Sequence, residues 1–168
     1  KFTELAPMIV TLATNIIFRG LSERILGDGS TGGMTKVEWF MDLYNGNLFG
    51  ILPYPILIFA VLAVIFGLVM HKTVFGRQMF AIGANKKAAA YAGVKVEKIR
   101  LIVFTLTGLM CGIAAIFYCS KLGSVKSDVA DGFDLEAISM CVLGGVSTAG
   151  GKGTMVGAVI AIFIIGLL

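Results

Sequence analysis

Few of the side chains that most often carry chemistry stand at spacings that would let them do so. The sequence has one histidine, His71, which ends an apolar run beside Lys72 and lacks the second histidine a metal site would need. Cys111, Cys119 and Cys141 lie in apolar surroundings at spacings that match neither a zinc site nor a thiol redox pair, so they read as small packing residues. No metal ligand set is expected. Gly27-Asp28-Gly29-Ser30-Thr31-Gly32 satisfies the letters of GxGxxG, but no strand precedes it and no βαβ pattern surrounds it. Glycines also precede Lys152, yet a phosphate loop, GxxxxGK[ST], would require glycine at Val146 and a hydroxyl residue at Gly153. The acids fall mostly in segments that read as loops, and no nucleophile has a candidate base beside it. The expected number of catalytic residues is therefore none, and the chain does not read as an enzyme.

What remains are residues suited to binding and docking. In the apolar run from Leu5 to Phe18, helical spacing puts Thr11, Asn15 and Phe18 along one side. Such a stripe either lines a solute pathway or makes hydrogen bonds between membrane helices, and the sequence is compatible with both. A second group surrounds Asn85, whose side chain can cap the amides of a starting helix. Lys86 to Ala92 are nearly all good helix formers, and Gly93 suits the left-handed residue that closes a helix. Ala88, Ala89 and Ala92 would give this helix a low-relief face beside Tyr91. A helix so short is marginal alone and must pack on something. It is either an amphipathic connector on a membrane surface or a docking knob for a partner.

The elements that position these groups are read from apolar content. Hydrophobic residues make up 57% of the 168 positions and charged ones 14%, with a mean hydropathy of +0.92, which places the chain among integral membrane proteins. The formal charge of +4 does not point to nucleic acid, because the surplus collects between His71 and Arg100. There Lys72, Arg77, Lys86, Lys87, Lys95, Lys98 and Arg100 face the single acid Glu97. Basic loops between spans stay on the cytoplasmic side, so this one is expected to face the cytoplasm.

Pro53 and Pro55 are tolerated in a first helical turn, and they open an uncharged run that continues from Ile56 to Met70. With that turn the run is about 18 residues, long enough to cross a bilayer. Leu101 to Cys119 is a second uncharged span, on which Gly108 and Gly112 form a GxxxG surface where another helix can approach. Leu5 to Phe18 rises only about 21 Å, so it is either a broken span or continues through Arg19 to Leu26, with Arg19 and Glu23 one turn apart. The loops Gly27 to Gly50 and Lys121 to Glu136 lose the positive bias and are expected outside. Trp39, Phe40 and Tyr44 suit the water interface of the first. From Leu135 onward two apolar runs flank Gly144 to Gly153, a pattern of re-entrant or discontinuous membrane helices. Starting at Lys1 and ending within an apolar run, the chain is expected to be a piece of a longer protein.

Several ordered blocks carry a family resemblance. These are Thr73-Val74-Phe75-Gly76-Arg77, Ala81-Ile82-Gly83-Ala84-Asn85, Ala88-Ala89, Gly93-Val94, Gly132-Phe133-Asp134-Leu135-Glu136-Ala137-Ile138, Leu143-Gly144-Gly145-Val146-Ser147 and Gly150-Gly151-Lys152-Gly153-Thr154. From about Pro53 onward the chain closely resembles the membrane subunits of bacterial ATP-binding-cassette sugar importers of the ribose type. That group includes permeases for rhamnose and other monosaccharides and for a furanose-like quorum signal. Before Pro53 a shorter pattern matches at Val10-Thr11-Leu12 and Arg19-Gly20-Leu21.

The resemblance implies an all-α, polytopic transmembrane bundle in the bacterial plasma (inner) membrane, with residues 1–168 forming part of a single permease domain. It implies a second permease subunit, identical or related, and two cytoplasmic ATP-binding subunits that hold ATP and magnesium, with no cofactor on this chain. It also implies an external solute-binding protein that delivers a monosaccharide or similar small polar solute. Carried to this sequence, Asn85 to Gly93 becomes a coupling helix within the cytoplasmic loop 71–100. Gly76, Arg77, Gly83, Asn85, Ala88, Ala89, Tyr91 and Gly93 would serve ATPase coupling. Gly144, Gly145, Gly150, Gly151 and Gly153 would lie at a helix break near the pathway. A secondary transporter or channel without an ATPase is the alternative, although ionisable residues for ion coupling are not evident in the spans. A membrane-embedded enzyme is disfavoured by the missing catalytic constellation.

Overall fold

The computed structural model describes residues 7–27, 38–48, 52–126 and 129–167. Among the described residues the elements are α1 (Pro7–Leu26), α2 (Glu38–Asn45), β1 (Asn47–Leu48), β2 (Leu52–Pro53), α3 (Tyr54–Lys72), α4 (Val74–Ala84), α5 (Lys86–Tyr91), α6 (Val96–Leu122), α7 (Phe133–Leu143) and α8 (Met155–Leu167), so the architecture is helical with one pair of short strands. The dipeptides pair antiparallel, Asn47 with Pro53 and Leu48 with Leu52.

α3 and α6 are long and apolar enough to cross a membrane, with mean hydropathies of 2.3 and 2.2 over their most apolar stretches. A helix in the core of a water-soluble protein would bury such stretches, yet none of either is buried here. Among the described residues, the buried apolar side chains are limited to Ala89, Val96, Ile99 and Ala161. A surface this apolar is matched to lipid, and the protein is membrane-embedded.

Local chemistry sets the element boundaries. Pro53 precedes the first turn of α3 with φ −61° and ψ 138°, and Pro55 lies within that turn. Thr73 ends α3 and begins α4: its hydroxyl donates to the Val69 carbonyl and accepts from the Gly76 amide. The corner is tight enough that a β-carbon on Gly76 would strike the Met70 carbonyl. α6 begins at Val96, five residues before the uncharged run at Leu101, because Glu97, Lys98 and Arg100 are helix formers that continue it into the polar loop. α1 runs through Arg19 to Leu26 as one helix, and Arg19 Nε meets Glu23 at 3.3 Å within it.

α8 lies against α3 in the opposite direction. Met155 is near Gly67 at one end, and the Phe163 ring meets Phe59 edge-on at 6.4 Å toward the other. α2 packs across the C-terminal end of α6, where the fully buried Ser120 hydroxyl donates to the Phe40 carbonyl. At the same end Tyr118 meets Phe133 at 5.3 Å, so α7 starts there. α4 and α5 sit at the opposite end, beside the start of α6.

Candidate functional site

Two groups of residues emerge, one at each end of the bundle. The first is built on α5. Asn85 terminates α4 with extended backbone, φ −156°, and its amide donates to the Ala81 carbonyl. Its side-chain oxygen accepts from the Lys87 and Ala88 amides, each at 3.0 Å, and so caps α5. One residue thus joins the two helices. At the far end Gly93 takes φ 81°, and the Val94 amide closes onto the Ala89 carbonyl at 3.1 Å.

The faces of α5 differ from the expectation in one respect. Ala89, expected to share one low-relief face with Ala88 and Ala92, is turned inward and only 5% exposed. Ala88 and Ala92 are exposed, and Tyr91 stands out at 92%. Arg77 on α4 is exposed, whereas Gly76 is buried in the corner. Glu97, the lone acid of the basic loop, meets Lys86 at 3.5 Å and Arg100 at 3.8 Å, tying the start of α5 to α6. His71 stacks on Phe80 with ring centroids 6.2 Å apart. Cys111 and Cys141 are exposed and Cys119 half-buried, all three with free thiols. Among the described residues no cluster of three or more His, Cys, Asp or Glu is placed to hold a metal.

The loop between α7 and α8 comes back to this same end. A β-carbon added at Gly83, in the last turn of α4, would stand 2.5 Å from the Gly151 amide nitrogen. One at Gly150 would lie 2.7 Å from the Gly83 carbonyl oxygen, and one at Gly151 would lie 2.8 Å from the Ala84 backbone. Main chain therefore touches main chain. The Ser147 amide donates to the Lys152 carbonyl and the Gly150 amide to the Ser147 carbonyl, both at 3.0 Å, which closes the loop on itself. Gly145 adopts φ 82°, and Gly153 lies against Val146. Gly144 faces the first turns of α8, where a β-carbon would be 2.6 Å from Ala158 Cα.

The second group surrounds a polar cleft of about 360 Å³ at the other end, lined by Asn15, Phe18, Arg19, Ser22, Asp131 and Asp134 among others. Arg19 Nη1 donates to Asp131 Oδ1 at 2.6 Å and connects α1 to the segment before α7. Asn15 thus opens into a cleft, and Thr11 is exposed one turn earlier on α1. Gly27 ends α1 with φ 62°, while Asp28 to Gly32, the rest of the GxGxxG lettering, lies outside the described residues.

Some features of these two sites escaped sequence reasoning. α4 was legible only as loop, although its Val74 to Ala84 composition is helix-compatible and Thr73 is a plausible cap. The Arg19 to Asp131 pair and the Gly83 contact each join residues remote in sequence, for which spacing carries no signal.

Comparison with known proteins adds independent information. Residues 1–168 match the family described as branched-chain amino acid transport system / permease component. The chain is 37% identical over 165 residues to the ribose import permease protein RbsC of Bacillus subtilis, covering 98% of this chain and 51% of that one. It is 44% identical over 159 residues to the L-arabinose transport system permease protein AraH of Escherichia coli, covering 95% and 48%. It is 36% identical over 171 residues to the autoinducer 2 import system permease protein LsrD of Photorhabdus luminescens, covering 99% and 51%. The chain spans about half the length of these relatives. No solved structure matches it.

Proposed function

Since the chain belongs to the branched-chain amino acid transport system permease-component family, we propose that it is the ATPase-facing part of a permease subunit in an ATP-driven importer. The solute is a monosaccharide or a similar small polar molecule. The names of the relatives support that choice over the amino acids in the family description, since they import ribose, L-arabinose and autoinducer 2. The parent protein is multi-pass in the bacterial inner membrane and pairs with a second permease. It receives solute from an external binding protein and docks cytoplasmic subunits on which ATP and magnesium are bound and hydrolysed. This chain binds and moves; it does not catalyse.

The observation that carries the reading is α5: a short helix capped at both ends, set at the basic end of two span-length helices, with Tyr91 projecting outward. A helix of six residues does not persist alone, so its capping and its inward Ala89 hold a shape whose outer face is free for a partner. In this reading Lys87, Ala88, Tyr91 and Ala92 seat in a groove of the ATPase, and the glycine-broken α7 to α8 segment lies beside the solute route. Thr11 and Asn15 line the external part of that route, where the cleft offers amide, hydroxyl, guanidinium and carboxylate partners for solute hydroxyls. ATP-driven closure of the ATPases displaces α5, and each ligand selects the outward or inward conformation that it binds better.

The test uses the intact parent protein in cells, with single cysteines at Lys87 or Asp131 in a background lacking native cysteines. Position 131 is expected to label from outside, and position 87 is expected to be protected and to crosslink to the ATPase. External labelling at 87 would reverse the topology and overturn the proposal.

A further inference from the structure

We infer that Gly83, Gly150 and Gly151 form a main-chain joint that transmits displacement of α5 to the α7–α8 hairpin, and through it to the polar cleft at the other end of the bundle. The inference rests on the reading of α5 as the ATPase-docking helix.

Contacts leave α5 in two directions, and they differ in stiffness. Toward α6 they include Lys86 with Glu97, whose side chains are 57% and 80% exposed. Exposed ion pairs hold geometry weakly because long side chains exchange partners with water. Toward α8 the path is backbone throughout. Asn85 locks the end of α4 to the start of α5, Gly83 and Ala84 lie directly before it, and Gly83 meets Gly150 and Gly151 backbone to backbone while Ala84 adds its β-carbon against Gly151. Hydrogen bonds from Ser147 to Lys152 and from Gly150 to Ser147 brace the loop where it meets α4, and Gly150 and Gly151 take the left-handed φ of 90° and 75° that lets their backbone approach so closely. Beyond the loop, Gly144 and the Gly157 to Ala158 backbone are again in direct contact, so the end of α7 and the start of α8 form one body.

That body crosses the molecule. α7 begins beside Tyr118 at the far end of α6, with Gly132 alone separating it from Asp131, the partner of Arg19 in the cleft. A shift applied at Gly150 therefore reappears where Asp131 faces α1. Packed bodies of this kind move by about 1–2 Å or by small rotations and do not deform continuously.

The experiment places spin-label pairs in the intact, cysteine-free permease assembled with its ATPases. One pair spans the joint, at positions 87 and 152. The other spans the cleft, at positions 21 and 130. Distances are compared without nucleotide and after trapping with ATP, magnesium and orthovanadate. The 87–152 distance is expected to hold within about 2 Å, the scale of shifts between packed elements, while the 21–130 distance changes. Gly83→Ala, whose added carbon would stand 2.5 Å from the Gly151 amide nitrogen, is expected to abolish the 21–130 change. The joint is overturned if 87–152 changes as much as 21–130, or if 21–130 stays fixed although position 87 crosslinks to the ATPase. If Gly83→Ala fails to assemble, the unsubstituted distances still decide. Failure of the crosslink at 87 removes the docking reading itself and this inference with it, an outcome distinct from a crosslinked but flexible joint.

Discussion

Arg19 and Asp131 meet at 2.6 Å although 112 positions separate them in the chain, and theirs is the ion pair that joins α1 to the start of α7. Both side chains remain largely in contact with solvent, 40% and 63% exposed. A pair so placed contributes little to folding. Its two charged groups instead line the polar cleft, where a solute would meet them.

Breaking that pair is therefore expected to affect transport more than stability. Arg19→Asp and Asp131→Arg should each depress uptake of labelled monosaccharides by the intact importer, with the melting temperature of the solubilised complex little changed. Combining them restores the attraction with the charges exchanged, so the double variant should recover part of the uptake. A double variant no better than either single one would refute a positioning role.

Asn85 caps two amides at once, and its loss is expected to loosen α5 locally. Replacing a capping side chain by alanine costs about 1 kcal/mol, equivalent to roughly fivefold faster exchange of the Lys87 and Ala88 amides. Asn85→Asp retains the acceptor and should remain close to the parent. Hydrogen exchange resolved to the 85–93 segment reads the difference, and equal exchange in the alanine variant would show that the cap contributes nothing.

The inward turn of Ala89 separates two substitutions that the sequence would treat alike. Ala89→Asp places a carboxylate among buried groups and should lower stability by about 1–3 kcal/mol. It should appear as poor expression or a lower melting temperature. Ala88→Asp lies on the exposed side, so folding should be preserved while ATPase co-purification falls. If the two behave identically, the assigned faces of α5 are wrong.

Tyr91 is the strongest candidate for an anchor on the docking face. Exposed residues truncated to alanine shift stability by less than about 0.5 kcal/mol, whereas loss of an aromatic interface anchor costs about 2 kcal/mol, roughly thirtyfold in affinity. Tyr91→Ala should thus leave the melting temperature of the permease unchanged and weaken its retention of the ATPase. Undiminished retention would remove Tyr91 from the interface.

At Gly76 the space is already taken by the Met70 carbonyl. Gly76→Ala is expected to strain the α3–α4 corner by about 1–3 kcal/mol, the range for overpacking. Gly108→Ala is the natural comparison in this chain, since among the described residues no atom outside its own stretch of helix lies within 4 Å of the added carbon. Equal thermal shifts for the two variants would argue against a tight corner.

Much of this architecture was legible because it is local. Pro53 and Pro55 marked the start of α3, and Asn85 with Gly93 bracketed α5, since capping and left-handed backbone depend on residues a few positions apart. Span length followed from uncharged runs, yet α6 began earlier than its run because helix formation does not stop where charge begins. α2 went unseen in a Gly-rich stretch read as loop; its packing on α6 is tertiary and leaves no periodic trace in eight residues. The inward direction of Ala89 could not be read either. On a helix of alanines every face looks alike until a neighbour claims one.

The contact between Gly83 and Gly150 to Gly151 contains no side chain that another residue could replace with a different chemistry. It lies apart from the residues that line the polar cleft. Residues lining the cleft and residues on the outer face of α5 can each be exchanged without altering the joint between them. In the proposed reading, changing the cleft and changing the docking face are therefore two separate engineering problems.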